Sequence, residues 1–319
     1  MIALWLALTA CDFQLTQETE ARAPETRLPP AAAGPAFWDV WGDGKAELDG
    51  YRLLIPRYGE LRRGEAVQIW VTETFTAGQR VKSDGGHPDE FPVLKLNDVR
   101  HFQTGIYDYH VLTSVFQRLD GRDPLGRPTK VTLSVQEWCG HAWEEWVAGE
   151  GAYQRMRRSY FDGENDLDVR VEVPNDGQLA DAGAFVARSL PAETPPGEVD
   201  WIASALDSRF AHEEPVWTRA TWTRGPAEEV TVPAGTFQAV PVTVTPKIGV
   251  GTTWYVEEAP PRRIVKWTRP NGEVAELTGS IRAPYWEQNG EGFERMRADL
   301  GLGDPSWLTA SPDPTPAGG

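Results

Sequence analysis

Residues 130–141 read KVTLSVQEWCGH and alternate apolar and polar side chains, so that Val131, Leu133 and Val135 share one face. Alternation of this kind predicts a half-buried β-strand. Further segments that mix β-branched and aromatic residues with polar ones are 46–56, 65–75, 107–119, 154–161, 216–223, 228–232, 236–245, 252–257, 262–268 and 273–281. Short Gly, Pro, Asn or Asp turns join most of them, and Pro270-Asn271-Gly272 is the clearest hairpin signal. Many short, serially linked strands predict a mainly β fold, a large curved antiparallel sheet or half-barrel.

Helical spacing of apolar residues is confined to residues 179–190, 201–206 and 285–300, which predicts a few short helices. A Pro-rich segment at residues 190–199 separates a β-rich N-terminal part (35–190) from a β-rich C-terminal part with a terminal helix (200–304). Two halves of one continuous sheet and two separate domains both agree with this pattern. The Pro-rich residues 305–319 predict a disordered tail.

Charge and composition exclude several classes of function. The 319 residues include 47 Asp and Glu against 31 Lys and Arg, giving a net charge of -16, which argues against a nucleic-acid partner. Two cysteines are too few for a disulfide scaffold or a Cys-rich zinc site. Walker, dinucleotide-binding, G-x-S-x-G and H-E-x-x-H motifs are not found in the sequence, and no cofactor is predicted.

The N-terminus predicts export from the cytoplasm. Residues 1–10 (MIALWLALTA) form an uncharged apolar run that ends in small residues, as a secretory signal does. Leu8-Thr9-Ala10-Cys11 is similar to a bacterial lipobox. In that motif the cysteine is lipidated and becomes the first residue of the mature protein, which predicts lipidation of Cys11. Residues 11–34 are poor in large apolar side chains and predict a disordered tether to a membrane. The alternative is a buried N-terminal strand or helix with an incidental cysteine.

The most specific candidate for a chemical site consists of Glu137, Cys139 and His141. In one extended strand they share a face, where a thiol and an imidazole are candidates for catalysis. Alternate strand residues lie roughly 6.5 to 7 Å apart, too far for a direct Cys–His hydrogen bond without a bend at Gly140. The alternative is a small buried cysteine in the wall of a pocket, with Glu137 and His141 beside it.

An acidic segment and an aromatic segment supply further candidates. Asp162, Glu164 and Asp166 alternate in a way that suits a hard cation such as Ca²⁺, but the glycine is misplaced for an EF-hand loop, and the pattern favours a solvated acidic turn over a metal site. Residues 37–59 combine tryptophans and tyrosines with charged groups and predict a ligand cleft, a partner surface or an opening hairpin that caps the sheet. The candidate side chains there are Asp43, Glu47, Arg57 and Tyr58.

Segments in the first half and one near the end resemble a family of uncharacterised bacterial lipoproteins associated with flavobacteria and their relatives. They are residues 42–51 (GDGKAELDGY), 57–59, 71–73, 93–97 (VLKLN), 102–109 (FQTGIYDY), 134–141 (SVQEWCGH), 159–166 (SYFDGEND) and 284–286. Members are often labelled "septum formation inhibitor Maf", but the S-x-S-P-R-R-type motif of true Maf proteins is not found in this sequence. The resemblance implies an envelope location and a β-rich fold, and it adds Lys95, in the VLKLN segment, as a candidate pocket or surface residue.

The C-terminal half has a second resemblance. Residues 232–240 (VPAGTFQAV), 252–256 and 262–266 are similar to periplasmic curved-sheet proteins of the lipoprotein-localisation type. That group holds acyl chains in an apolar concavity, so the resemblance implies a concave ligand-binding face.

Together these observations predict a non-enzymatic envelope lipoprotein that binds a lipid, a glycan or an envelope protein. Its anchor lies in a bacterial membrane, the outer membrane rather than the inner, with the globular part in the periplasm or at the cell surface. One alternative is an envelope hydrolase or transferase that uses Cys139 and His141. Another is an assembly factor that acts through protein contacts alone.

Overall fold

The computed structural model describes residue 26 and residues 28–194 and 196–309 of the chain. The strands are β1 (Pro30–Ala32), β2 (Ala46–Arg57), β3 (Glu60–Thr76), β4 (Glu90–Thr104), β5 (Tyr107–Arg118), β6 (Asp120–Pro124), β7 (Lys130–Glu137), β8 (Gly140–Ala148), β9 (Ala152–Ser159), β10 (Leu167–Glu172), β11 (Gly177–Leu179), β12 (Gly197–Ile202), β13 (Trp217–Arg224), β14 (Glu228–Val232), β15 (Gly235–Pro246), β16 (Thr252–Glu257), β17 (Ile264–Thr268) and β18 (Val274–Ala283). The helices are α1 (Pro35–Trp41), α2 (Gly183–Arg188), α3 (Ala205–Ala211), α4 (Met296–Asp299) and α5 (Pro305–Leu308), with single 3₁₀ turns at Ala180–Ala182 and Tyr285–Glu287.

One large sheet contains 16 of these strands. Its order is β10-β9-β8-β7-β5-β4-β3-β2-β18-β17-β16-β15-β13-β12-β11, and β14 also pairs with β15. All neighbours are antiparallel except β11 and β12. The edge strands β10 and β11 do not pair with each other, so the sheet is curved and open. The predicted mainly β fold with a few short helices is confirmed.

The two halves of the chain meet in this sheet through β2 and β18. Their pairing runs from Ala46 opposite Ala283 to Leu54 opposite Val274, with one shift in register between Leu277 and Gly279. Of the two arrangements left open by the Pro-rich segment, the structure has the continuous sheet. The hairpin expected at residues 270–272 joins β17 to β18.

The inner face of the sheet packs against the segment between β11 and β12 and against α3. Alternate residues of β2 (Tyr51, Leu53 and Ile55) are buried in a core that also includes Phe185 of α2. The Phe185 ring lies 4.8 Å from that of Trp70. We call residues 180–190 and 203–211 the plug, because their helices pack on the concave side of the sheet. The hydroxyl of Ser204 accepts a hydrogen bond from the Asp207 backbone N–H at 3.0 Å and so caps α3.

The outer face is crossed by the C-terminal segment. Gly50 and Gly279 are directly opposite each other on β2 and β18. A Cβ atom at Gly50 would lie 2.1 Å from the Leu300 carbonyl oxygen, and one at Gly279 would lie 2.2 Å from that of Asp299. Only glycine lets the backbone of this segment pass so close to the sheet.

Both ends of the described chain are more ordered than the sequence predicts. Leu28 and Ala31 are buried, and β1 pairs with β6, so the disordered tether expected at residues 11–34 is wrong for residues 28–34. The disordered tail is wrong for α5, because the Trp307 indole N–H donates to the Gly64 carbonyl at 2.8 Å. Apolar side chains that find a place in the core offset their ordering entropy. Cys11 and the lipobox lie outside the described residues.

The terminal helix expected at residues 285–300 is reduced to a 3₁₀ turn and the four residues of α4. Residues 289–292 read NGEG, and the two glycines disfavour a continuous helix. None of the helices in the described part of the chain is long and apolar enough to span a membrane.

Candidate functional site

The structure separates the three residues of the predicted thiol site. The strand expected over residues 130–141 ends at Glu137, and a tight turn leads to β8 at Gly140. Glu137 is buried, whereas Cys139 lies exposed in the turn and His141 pairs with exposed Gln136 on the outer face. The expectation that the three side chains share one face is therefore wrong, because a hairpin turn interrupts the alternation.

The chemistry around Cys139 also opposes a nucleophilic role. A hydrogen bond with the Glu137 carboxylate raises the pKa of the Cys139 thiol. The His141 Nε2 lies 3.1 Å from the Ser134 hydroxyl. A reactive cysteine needs a lowered pKa, and this environment acts in the opposite direction.

The three acidic residues of the predicted cation site have separate partners. Glu164 is buried and contacts Arg209 at 2.9 Å and His212 at 2.6 Å. Asp162 accepts the Gly163 backbone N–H, and Asp166 lies 3.6 Å from Arg158. Among the described residues these carboxylates do not form a cluster with metal-ligand spacing, so the cation-site prediction is wrong. Glu164 serves instead as a buried partner of Arg209 and His212, on and after α3.

Asp43 and Glu47 both lie near Arg282, on the inner side of the sheet. Asp43 contacts Arg282 at 2.8 Å. Glu47 is almost fully buried and lies 2.7 Å from Arg188 of the plug, beside the equally buried Asp49. We call Glu47, Asp49 and Arg188 the sealed cluster. Its Arg188 guanidinium lies 4.5 Å from the centre of the Trp70 ring.

The remaining candidates lie elsewhere. Arg57 is buried beside Tyr109 and donates to the Phe210 carbonyl at 3.0 Å, while Tyr58 is exposed and its hydroxyl is 2.7 Å from that of Tyr109. Lys95 forms an ion pair with Glu73 at 2.5 Å. The aromatic segment therefore forms α1, which carries Trp38 and Trp41, followed by β2, and its charged groups do not form one cleft with Lys95.

The structure contains a site of a different kind, a charged cavity of about 100 Å³ between β4, the β17–β18 turn and the start of α3. We call it the acidic cavity. Its charged lining residues are Asp98, Arg100, Asp181, Asp207, Arg269 and Glu273. A single buried water needs about 10–15 Å³ of such space, so the cavity has room for several waters or a small organic group.

Two arginines hold most of these acids in place. Arg100 contacts Asp98 at 2.9 Å and, across β3 and β2, Glu273 at 3.0 Å. Arg269 makes paired contacts with Asp207 at 2.7 and 2.8 Å. The two guanidinium groups are therefore committed to acids of the cavity wall, and neither is left over to receive an anionic ligand.

Asp181 is the exception among the acids. Its carboxylate accepts only long hydrogen bonds from the Ala205 N–H, at 3.3 and 3.4 Å. Within residues 28–194 and 196–309, it forms no ion pair with a Lys, Arg or His side chain. Burial, together with the charge of Asp207, raises the pKa of Asp181 to about 7. A buried carboxyl group with no cationic partner favours its neutral form, and a cation placed beside it favours the carboxylate.

The pKa of Asp207 is shifted in the opposite direction to that of Asp181. Burial alone would raise the pKa of Asp207, but the charge and hydrogen bonds of Arg269 lower it below its ordinary value. Its side chain remains 27% exposed, as expected of a group in the wall of an open cavity. The cavity thus holds one carboxylate that stays ionised and one carboxyl that changes protonation near neutral pH.

Three tryptophans form the apolar part of the wall: Trp201, Trp254 and Trp267. Trp254 stacks on Trp222 with ring centres 5.7 Å apart, and Trp201 meets Trp222 edge to face. The Trp267 indole N–H donates to Glu273 at 2.8 Å. These contacts fix the aromatic surfaces beside the acids.

This cavity was not identified from the sequence because its lining residues come from seven separate parts of the chain, from β3 to the β17–β18 turn. One signal was available: in β4, Asp98 and Arg100 occupy the positions that continue the buried face of Leu94, Leu96 and Phe102. Charged residues in the apolar phase of a strand indicate a polar site inside the fold.

A larger cleft of about 450 Å³ lies on the outer face, between the sheet and the C-terminal segment. It is mainly apolar, with Val67, Ile69, Val99, Phe293 and Met296 among its lining residues. The concave side of the sheet, in contrast, packs against the plug, and the acidic cavity lies between them.

Comparison of the chain with protein-family models, with curated proteins and with solved structures gives no match.

Proposed function

We propose that this protein is an envelope lipoprotein, anchored to a bacterial membrane through Cys11, whose β-sheet body binds a ligand carrying a compact cationic group. The ammonium or guanidinium group of that ligand occupies the acidic cavity. Asp181, a carboxyl group with no cationic partner among the described residues, is the observation that carries the proposal. The function is binding rather than catalysis.

The charge of the cavity supports a cation. Four carboxyl groups face two guanidinium groups, so the lining is negative in either protonation state of Asp181 and most negative when that group is ionised. The tryptophan walls suit the same ligand, because ammonium groups are attracted to the faces of indole rings. A cation that pairs with Asp181 also removes the cost of keeping that carboxylate ionised in a buried place.

The size of the cavity limits what enters it. About 100 Å³ accommodates a charged group of a few heavy atoms, so the rest of a larger ligand lies outside. In a cell envelope, such a group is supplied by an amine-bearing lipid headgroup, by an amino sugar or by a lysine side chain. These sources share one chemistry, and a binding experiment separates them.

The binding experiment is calorimetric titration of the full chain with choline, ethanolamine, glucosamine and lysine amide. At least one should bind at pH 8, and Asp181→Asn should weaken that binding at least tenfold. Asp166→Asn, which changes an exposed aspartate outside the cavity, serves as the matched control and should leave it unchanged. Absence of binding by all four, or equal affinity of Asp181→Asn and wild type, would overturn the proposal.

The anchor is tested separately by mass spectrometry of the chain recovered from a bacterial membrane fraction. The mature protein should begin at Cys11 and carry acyl chains, and Cys11→Ser should release it from the membrane. Recovery of an unmodified chain that begins at Met1 would overturn the lipoprotein assignment and leave the cavity proposal unaffected.

Asp181 and Asp207 also suggest a second candidate function, a hydrolase with one acid and one base. The pKa values of these two groups move apart, as those of catalytic carboxyl pairs do. Turnover of a glycoside by the wild type, lost in both Asp181→Asn and Asp207→Asn, would support the enzyme over the binding protein. Cys139 and His141 have no comparable support.

A further inference from the structure

We propose that His101, Asp108 and His110 form a binding site for a divalent transition metal, with Zn²⁺ as the ion of choice. The three side chains lie on the outer face of the β4–β5 hairpin, on the opposite side of the sheet from the acidic cavity. The candidate ligand atoms all lie within 4.8 Å of one another. The site is independent of the proposed function.

The strand register places these residues together. His101 and His110 are directly opposite each other on β4 and β5, and Asp108 precedes His110 by two residues on the same face. The two imidazole rings are stacked, with centres 4.7 Å apart and planes 10° from parallel. The His101 Nε2 lies 3.8 Å from the Asp108 Oδ1.

The backbone beneath the site is held firmly. The neighbouring pair, Phe102 and Tyr109, points to the inner face, where both rings are buried and stacked 4.8 Å apart. These buried rings fix the register of the β4–β5 hairpin. The backbones of His101 and His110, which lie on the other face of the same two strands, are therefore held at a fixed separation. A site on rigid strands needs little reorganisation when an ion binds.

The ligand set selects the metal. Two imidazoles and one carboxylate suit Zn²⁺ and its neighbours in the transition series, and they do not suit Mg²⁺ or Ca²⁺, which prefer oxygen. Zinc bound at about 2.0–2.1 Å brings tetrahedral ligand atoms to about 3.3 Å from one another. The exposed side chains of His101 and His110 reach that spacing through small side-chain rotations, and the remaining coordination position faces solvent.

The test uses the full chain without a polyhistidine tag, stripped of metal with a chelator and titrated with ZnCl₂ by calorimetry. One equivalent should bind, and Co²⁺ in its place should give the visible absorption of a tetrahedral or five-coordinate ion. Loss of a group that only hydrogen-bonds to a metal ligand costs about 10- to 100-fold in metal affinity, so His101→Ala and His110→Ala, which remove ligands, should each lose at least that much. Asp108→Asn should weaken binding to a smaller extent.

Two histidines provide matched controls. His141 lies on the same outer face, opposite Gln136, and His87 is exposed in the β3–β4 loop. His141→Ala and His87→Ala should bind Zn²⁺ as the wild type does, and thermal unfolding of every variant should match that of the wild type without metal. Failure of the wild type to bind Zn²⁺, or binding that survives His101→Ala/His110→Ala, would overturn the proposal.

Discussion

Two groups of charged residues on the inner face of the sheet differ in their access to water. The sealed cluster pairs Arg188 with Glu47 under Trp70, and its three side chains are almost fully buried. The acidic cavity contains four acids, of which Glu273 is fully buried, but it encloses about 100 Å³, and Asp207 in its wall is partly exposed. Buried charges that leave no space are structural, whereas charges around a cavity are available to a ligand.

Protonation follows the same division. Burial, reinforced by the charge of Glu47, raises the pKa of Asp49 well above its ordinary value, so the sealed cluster keeps a neutral acid beside one ion pair. In the acidic cavity, the pKa of Asp181 is about 7, within reach of physiological change. Of these two groups of charged residues, the acidic cavity is the one whose net charge changes near neutral pH.

Removal of Arg188 should give the largest loss of stability. Arg188→Met leaves Glu47 buried without its cation, which costs about 3–5 kcal/mol in the free energy of unfolding. Urea denaturation at pH 7 measures this loss. The variant Glu47→Gln/Asp49→Asn/Arg188→Met removes the charges together and should lose less. A loss below about 1 kcal/mol in Arg188→Met would show that water reaches the cluster.

Asp181→Asn should stabilise the protein above neutral pH. Folding raises the pKa of Asp181 from 3.8 to about 7, so the folded state holds a proton that the unfolded state releases between these pH values. The contribution of this proton to stability is complete below pH 4 and is lost as the pH rises through 7. At pH 8 the variant should therefore exceed the wild type by up to about 4 kcal/mol.

The measurement is the difference in unfolding free energy between Asp181→Asn and wild type at a series of pH values. Other titrating groups cancel in this difference. If the difference in unfolding free energy stayed constant from pH 4 to pH 8, the pKa of Asp181 would be the same in the folded and unfolded states. Asp181 would then be in contact with bulk water, like an exposed acid.

Arg269→Met is the counterpart of Arg188→Met in the cavity. It removes the cation of Asp207, but that carboxylate lines an open space and can be hydrated. The expected loss is about 2 kcal/mol, the cost of an incompletely satisfied charged group. If urea denaturation gave a loss as large as that of Arg188→Met, the two regions would be equally dry.

The smallest effect is expected at the rim of the sealed cluster. Asp43 contacts Arg282 at 2.8 Å, but 37% of its side chain is exposed. Asp43→Ala should therefore change the free energy of unfolding by less than about 1 kcal/mol. A larger loss in thermal or urea unfolding would extend the sealed cluster outward to this pair.

The sequence predicts the strands better than it predicts the sites. The bounds expected for residues 228–232 and 252–257 are those of β14 and β16, because alternation is a local property of half-buried strands. It does not predict β4, whose inner face includes Asp98 and Arg100 and so does not read as apolar. A local pattern cannot separate a solvated face from a polar cavity.

Arg188 and Asp181 show why the two charged sites could not be predicted from the sequence. Residues 179–190 have helical spacing, and the structure has a 3₁₀ turn and α2 there. Asp181 comes near Asp207 within the plug, and Arg188 meets Glu47 where the plug packs against β2. Contacts of this kind depend on tertiary packing, which one sequence does not encode in its periodicity.

The pairing of β2 with β18 also sets an order of events during synthesis. Arg52 and Glu276, which face each other in this pair, are 224 residues apart along the chain. Strands β2 to β5 pair with their neighbours in sequence, so these hairpins need only residues close together in the chain. The other edge of β2 pairs with β18 and so stays unpaired until most of the remaining polypeptide has been synthesised. Closing so long a loop is entropically costly and slow. Until then, an unpaired strand edge is open to other chains, so a factor that shields it during synthesis or export would raise the yield of folded protein.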